Sequence, residues 1–371
     1  MKQPSRSARY LAVLLALLAH GFTVGFGPPR LAARDFDPAP LWPAQARQLG
    51  RMAPPEVGSA AALLMDAASQ TVLYQKDAAR RWAPASTTKM VTALVALERS
   101  DLNSTVVVQP EDLAVASAVG LTAGETWRLE DLIYALLLSS DNAAGLAIAR
   151  HVAGSVAGFV DLMNAQAARW GLEDTHFANP HGLDDPQQYS TAADLAQIAL
   201  HGLAQPTFAR IVATRERQAE GRTLRNLNEL LGSYPGAEGV KTGTTDQAGQ
   251  CLVSTVRRPD GWAVCVVLGS GDRYRDSRLL LDYYFGSYCS LPLRLGPVGL
   301  NRMAGPDGSQ AALVLQEERR VLLPRWQLPW LRVHRLCPGL PPGGSGGPVG
   351  TARFALGDAV VAELPLYAAA P

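Results

Sequence analysis

Lysine is nearly missing from this chain: of its 34 basic residues only Lys2, Lys76, Lys89 and Lys241 are lysine. Arginine stays charged in proteins, whereas a buried lysine can give up its proton, so a lysine kept against this background points to chemistry. Net charge is scarce as well. A formal charge of +1, with no basic run and no acidic tail, gives no reason to expect nucleic acid as a partner. The six histidines fall in no recognisable triad motif. Cys251, Cys265, Cys289 and Cys337 lack metal-ligand spacing, which argues against a zinc site, and nothing else in the sequence calls for a cofactor. Cys251 and Cys265 sit in apolar, strand-like runs and read as buried thiols, while a Cys289–Cys337 bridge is left open. Beyond the N-terminus no segment is long and apolar enough to cross a bilayer.

What is present describes a globular, exported protein. Apolar residues make up 47% and charged residues 18% of 371, enough for two domains with a real core. Lys2, Arg6 and Arg9 precede an apolar run over residues 10–19, the pattern of an export signal, with Ala32 and Ala33 as small residues for cleavage. This predicts a signal peptide over 1–33, or an uncleaved N-terminal anchor that holds the protein at a membrane, and a periplasmic or cell-envelope location. A Pro-, Ala- and Arg-rich linker over 34–55 follows. Strand patterns at 59–66 and 71–75 precede helical ones at 86–98, 143–152, 156–170 and 192–203, with an apolar segment at 129–138. Two further strands, 250–256 and 262–268, lead into an amphipathic helix at 277–285. Strands at both ends with helices between them predict an α+β domain over 56–289, helices against a mostly antiparallel sheet. Residues 290–371 lose helical periodicity, gain Pro and Gly, and read as a small β-rich second domain.

Three short motifs occur in order: Ser86-Thr-Thr-Lys89, Ser140-Asp-Asn142 and Lys241-Thr-Gly243. Residues three apart share a helix face, so Ser86 and Lys89 can hydrogen-bond. At a helix start, free N–H groups favour a developing oxyanion. Burial and a second cation, Lys241, would lower the Lys89 pKa until its amine can take the serine proton. Ser140 would relay a proton to the leaving amine, and Asn142 would orient a substrate amide, although the same stretch would also serve to start the next helix. Lys241 would supply positive charge to Ser140 and to substrate from an edge strand, and Gly243 would let a substrate backbone approach.

With these motifs, and with stretches such as 61–75, 84–97, 177–199 and 226–256, the chain closely resembles the D-alanyl-D-alanine carboxypeptidases, low-molecular-mass penicillin-binding proteins of the serine peptidase group. The resemblance implies a β-lactamase/transpeptidase-like catalytic domain, an antiparallel sheet with helices on both sides. It implies an acyl-enzyme on Ser86 formed with the penultimate D-alanine of a peptidoglycan pentapeptide, with β-lactam antibiotics as covalent inhibitors. Ser86, Lys89 and Ser140 would be catalytic, and Asn142, Lys241, Thr242, Gly243, Thr244 and Arg273 would bind substrate. Thr242 and Thr244 would share the terminal carboxylate with Arg273, and the Ser86 and Thr244 amides would form the oxyanion hole. Arg275 and Arg278 are the alternative carriers of that charge. The same residues would serve a D,D-endopeptidase acting on cross-links, and a non-catalytic wall-binding scaffold is the reading from outside the enzymes. Asp141 stands where this family often has glycine, a β-lactamase-like feature. The Glu-x-x-Leu-Asn loop with which such lactamases deacylate is absent: Glu173 is followed by Asp-Thr-His-Phe.

Overall fold

The computed structural model describes residues 53–296, 301–305, 308, 310–338 and 347–369. The expected export signal and most of the expected linker lie outside the described residues. In chain order the first half holds β1 (Ala61–Asp66), β2 (Thr71–Lys76), a 3-10 turn (Ala85–Thr88), α1 (Lys89–Arg99), β3 (Thr105–Val107), β4 (Thr126–Arg128), α2 (Leu129–Leu138), α3 (Asn142–Ala153) and α4 (Val156–Arg169). Next come α5 (Ala192–Leu203), α6 (Pro206–Ala213), β5 (Glu216–Ala219), β6 (Arg222–Arg225), β7 (Ala237–Thr245), β8 (Gly249–Arg258), β9 (Gly261–Ser270) and α7 (Arg273–Ser287). The C-terminal region carries β10 (Tyr288–Pro292), β11 (Arg302–Ala304), β12 (Gln310–Val314), β13 (Arg320–Pro324), β14 (Leu331–Leu336), β15 (Pro348–Leu356) and β16 (Ala359–Ala369).

The central sheet is antiparallel in the order β2-β1-β9-β8-β7, so β7, with Lys241 and Gly243, is an edge strand. Successive side chains of a strand point to opposite faces, and here both faces are covered. Ala61, Leu63, Met65, Val264, Val266 and Leu268 pack in the larger core with the helices of the first half. Ala62, Leu64, Ala263, Cys265 and Val267 pack on the other face against Leu280, Leu281 and Tyr284 of α7. This is why β1 and β9 read as continuous apolar runs rather than alternating ones.

Helix α1 is buried on all sides over its first two turns. Every residue from Lys89 to Ala96 is buried, so it is a central helix, and its only strongly polar buried side chain is Lys89. Ser86 precedes it in a 3-10 turn rather than within its first α-turn. Helix α7 begins four residues earlier than the apolar pattern suggests. The Asp272 carboxylate accepts from the N–H groups of Tyr274 (3.1 Å) and Arg275 (2.9 Å), capping the helix so that Arg273 is its first residue.

In the C-terminal region a second antiparallel sheet, β11-β12-β16-β15-β14, surrounds a small core that includes Phe354, Leu364 and Leu366. β10 continues directly from α7 and pairs with β13, so the chain passes into this region through a strand pair. All four cysteines are free; the Cys289–Cys337 bridge left open by the sequence is not formed. Among the described residues no single helix is long and apolar enough to cross a membrane.

Candidate active site

The site is assembled where α1, the corner between α2 and α3, and edge strand β7 converge. At the first of these, Lys89 Nζ lies 2.8 Å from Ser86 Oγ and donates to Asn142 Oδ1 at 2.7 Å. It also donates to the main-chain oxygen of His181. Burial holds Lys89 well below the ordinary lysine pKa, and the nearby Lys241 charge pushes the same way. An amine so held can accept a proton from the hydroxyl it touches. Ala85, just before the nucleophile, has φ +48°, a left-handed conformation uncommon outside glycine. It turns the chain sharply enough to put Ser86 ahead of the helix with its N–H free of the helical ladder.

The second component is a helix–helix corner. Helix α2 ends at Leu138, Ser140 takes φ +59°, and Asp141 caps α3 by accepting from the Ala144 N–H at 2.7 Å. The other oxygen of Asp141 accepts from Ser117 Oγ at 2.6 Å and from the Val119 N–H at 2.9 Å. The departure at Asp141 therefore has a structural reason: a buried carboxylate ties the loop at Ser117 and Val119 to the corner that bears Ser140 and Asn142. Because Asn142 Oδ1 is engaged by Lys89, its amide nitrogen is the group left to meet a substrate. Among the described residues Ser140 Oγ has no hydrogen-bond partner. Lys241 Nζ donates to the Thr242 main-chain oxygen at 3.1 Å. Burial, with the Arg273 charge adding to it, lowers the Lys241 pKa to about 7.

Gly243 also meets a steric demand within the chain itself. A Cβ there would stand 2.9 Å from both Ser86 N and Ala85 Cβ, so the missing side chain admits the nucleophile's own turn against β7. Thr242 and Thr244 lie on the same strand. Beside them Arg273 donates to the main-chain oxygens of Gly243 (2.8 Å) and Cys251 (3.0 Å), to Gln250 Oε1 (3.1 Å) and to Thr244 Oγ1. Arg278 instead bonds Ser233, and Arg275 is largely exposed beside Asp276. Of the three arginines, then, Arg273 alone bonds Thr244. It lines a cleft of about 550 Å³ together with Thr242, Thr244, Gln250, Tyr274 and Leu227.

Residues 177–188 contribute a wall whose function the motifs did not indicate. Pro180 presents its carbonyl to Thr92 Oγ1 (2.6 Å), and His181 presents its own to Lys89. Burial, then the Lys89 charge, lowers the His181 pKa to about 4, so its ring is neutral. Gly182 has φ +87°, and a Cβ on it would come 2.0 Å from the Ala85 oxygen. Side chains satisfy the backbone of this loop: Gln188 accepts from Ala178 and Asn179, and Asn179 from Gly182. Asp184 ties it to β7 through Thr245. The turn-rich run Asn179-Pro180-His181-Gly182 was the visible signal, but its partner Lys89 lies 92 residues away. Glu173, the one acid considered for lactamase-like deacylation, is exposed.

Residues 49–272 match the D-alanyl-D-alanine carboxypeptidase family, peptidase family S11. The chain belongs to that family. It is 32% identical to the D-alanyl-D-alanine carboxypeptidase DacC of Escherichia coli over 84% of each chain. It is also 32% identical to DacF of Bacillus subtilis, over 62% of this chain and 63% of that relative's length. Penicillin binding protein 6B of E. coli superposes with a TM-score of 0.68 at 26% identity, covering 85% of this chain and 96% of that one. The last match extends the likeness to the C-terminal sheet. Like these low-molecular-mass penicillin-binding proteins, the family member described here is a serine D-Ala-D-Ala carboxypeptidase in class, with an antiparallel sheet covered on both faces.

Proposed function

We propose that the chain removes the terminal D-alanine from peptidoglycan stem peptides through an acyl-enzyme on Ser86. The observation that carries this is the 2.8 Å contact between Ser86 Oγ and a buried Lys89 whose pKa is depressed. Lys89 takes the Ser86 proton as Oγ bonds to the carbonyl carbon of the penultimate D-alanine. The Ser86 and Thr244 amides receive the oxyanion. Collapse of the tetrahedral intermediate breaks the C–N bond, and Ser140 relays a proton to the departing amine. A water molecule, deprotonated by Lys89, then hydrolyses the ester.

Arg273, Thr242 and Thr244 hold the terminal carboxylate, Lys241 adds positive charge, and Asn142 donates from its amide nitrogen to the substrate amide. A β-lactam enters the same cleft, acylates Ser86 and lacks a leaving group that diffuses away. For such a substrate the protein works outside the cytoplasm, with residues 1–33 as its signal or its membrane anchor, and residues 56–289 form the catalytic domain. The test is D-alanine release from a pentapeptide, with labelled penicillin as a second probe. Wild-type enzyme releases D-alanine and takes up label, and Ser86→Ala does neither. Release that persists in Ser86→Ala defeats the assignment.

A further inference from the structure

Arg273 is held without a counter-ion. Its neighbour Asp272 spends its carboxylate on the Tyr274 and Arg275 N–H groups, and Glu229, which lines the same cleft, acts on Arg273 only at a distance. The guanidinium is shared instead among neutral acceptors. Nε donates to Gln250 Oε1 (3.1 Å), Nη1 to the main-chain oxygens of Gly243 (2.8 Å) and Cys251 (3.0 Å), and Nη2 to Thr244 Oγ1. Of the N–H groups of an arginine this leaves a single one, on Nη2, for a ligand. Because Thr244 Oγ1 accepts at that nitrogen, its own O–H stays available as a second donor beside it. How well the pair meets a carboxylate therefore depends on what aims the guanidinium.

Gln250 alone binds Arg273 twice. Its Oε1 accepts from Nε and from the Arg273 main-chain N–H (3.2 Å), one of the amides that the start of a helix leaves without an intrahelical acceptor. One oxygen thus fixes the first residue of α7 and the guanidinium together. The Gln250 Nε2 donates to the Gly271 oxygen at 3.1 Å, which decides which end of the amide faces the arginine. The sheet puts Gln250 in this place. It is the second residue of β8, paired with Thr244 on β7 and with Ser270 on β9, so it stands between the threonine and the turn that launches α7. A glutamate would fill the same volume but would set a negative charge against Arg273. An alanine would leave Nε without its acceptor.

We propose that Gln250 is a positioning residue for the terminal carboxylate, and that it serves because it is neutral: its amide oxygen aims the Arg273 guanidinium at Thr244, and its lack of charge leaves that guanidinium uncompensated until substrate arrives. The proposal rests on the carboxypeptidase reading above and adds to it a residue that acts through Arg273. An acid at this position would pair with Arg273 and repel the incoming carboxylate. A side chain with no acceptor would release Nε and let the guanidinium swing off the threonine.

The test compares two peptides of one sequence ending in D-Ala-D-Ala, the first with a free terminal carboxylate and the second with that group capped as a carboxamide. The quantity read is the ratio of their kcat/KM values, in which any loss of folded enzyme cancels. Wild-type enzyme favours the free acid. Gln250→Ala lowers that preference about tenfold, chiefly through KM for the free acid, the effect of loosening one charge-assisted pair. Gln250→Glu keeps the shape and the acceptor but lowers the preference about a hundredfold, since like charges then face each other. An unchanged ratio in Gln250→Ala, whether both values fall together or neither moves, overturns the positioning role. An unchanged ratio in Gln250→Glu overturns the need for neutrality. Failure of the wild-type enzyme to release D-alanine from the free acid would instead defeat the carboxypeptidase reading. Equal cleavage of both peptides by wild-type enzyme would defeat Arg273 as the carboxylate-binding group, and Gln250 with it.

Discussion

Lys241 is almost fully buried and donates only to the main chain, within reach of the Arg273 charge and next to Thr242 of the Arg273 cleft. A lysine with a folded pKa of about 7 and an unfolded value of about 10.4 holds fewer protons folded than unfolded between those values. Its destabilising effect is complete below about pH 7 and fades as pH rises toward the unfolded value. Lys241→Met should therefore raise Tm by a few degrees at about pH 6 and much less at about pH 10, while kcat/KM collapses; thermal melts at both pH values check this. For the wild-type enzyme, kcat/KM should fall on the acid side as Lys89 protonates and on the alkaline side near pH 7 as Lys241 loses its charge. The alkaline limb in kcat should lie higher, because a bound carboxylate stabilises the ammonium; a pH series of both constants reads the difference. Lys89→Arg keeps a cation but loses a removable proton, and penicillin acylation should drop by roughly a thousandfold or more in stopped-flow measurements.

The corner between α2 and α3 is the element on which the site turns. Asp141 caps α3 and holds the loop at Ser117 and Val119 with one fully buried carboxylate. Asp141→Ala removes the cap and leaves buried donors unpaired, a loss of about 2–4 kcal/mol. D-alanine release should fall further than stability alone accounts for, since Asn142 is the first residue of the loosened helix. Denaturant melts with parallel kinetics separate the two effects. The edge position of β7 and the missing Cβ of Gly243 are a second device of this scale. Gly243→Ala forces the Ser86 turn away from the strand, and acylation should slow by about a hundredfold with a modest change in Tm.

At the scale of the molecule, the residues assigned to the chemistry lie between Ser86 and Arg273, and the central sheet is complete without the C-terminal strands. The two regions are nevertheless joined by more than a linker. β10 pairs with β13, Arg320 reaches the Ser290 and Pro259 oxygens, and Arg325 reaches Asp260 and the Phe285 oxygen. A chain ended after Pro292 should keep its penicillin acylation rate within about threefold, as the site geometry lies elsewhere, while losing several degrees of Tm as β10 becomes an unpaired edge. Labelled-penicillin kinetics on the shortened protein checks both halves of that expectation.

The linear order of residues determined the nucleophile, its base and the three motifs, because a Ser-x-x-Lys spacing on one helical turn is a local relation that periodicity displays. It also determined most of the elements: helix 192–203 and the long strands were legible because their apolar patterns run through a single segment. Three things were decided only in the folded chain. The main-chain oxygen of His181 holds Lys89 across 92 residues of sequence, a contact that no side-chain pattern can announce. Arg273 is distinguished from Arg275 and Arg278 only because the Asp272 cap starts α7 one residue after it, aiming the first guanidinium at Thr244. Lysine scarcity drew attention to Lys89 and Lys241, but burial in one shared cleft is what depresses their pKa values. Desolvation, and the repulsion of Lys89 by Lys241 and of Lys241 by Arg273, depend on distances that only packing sets.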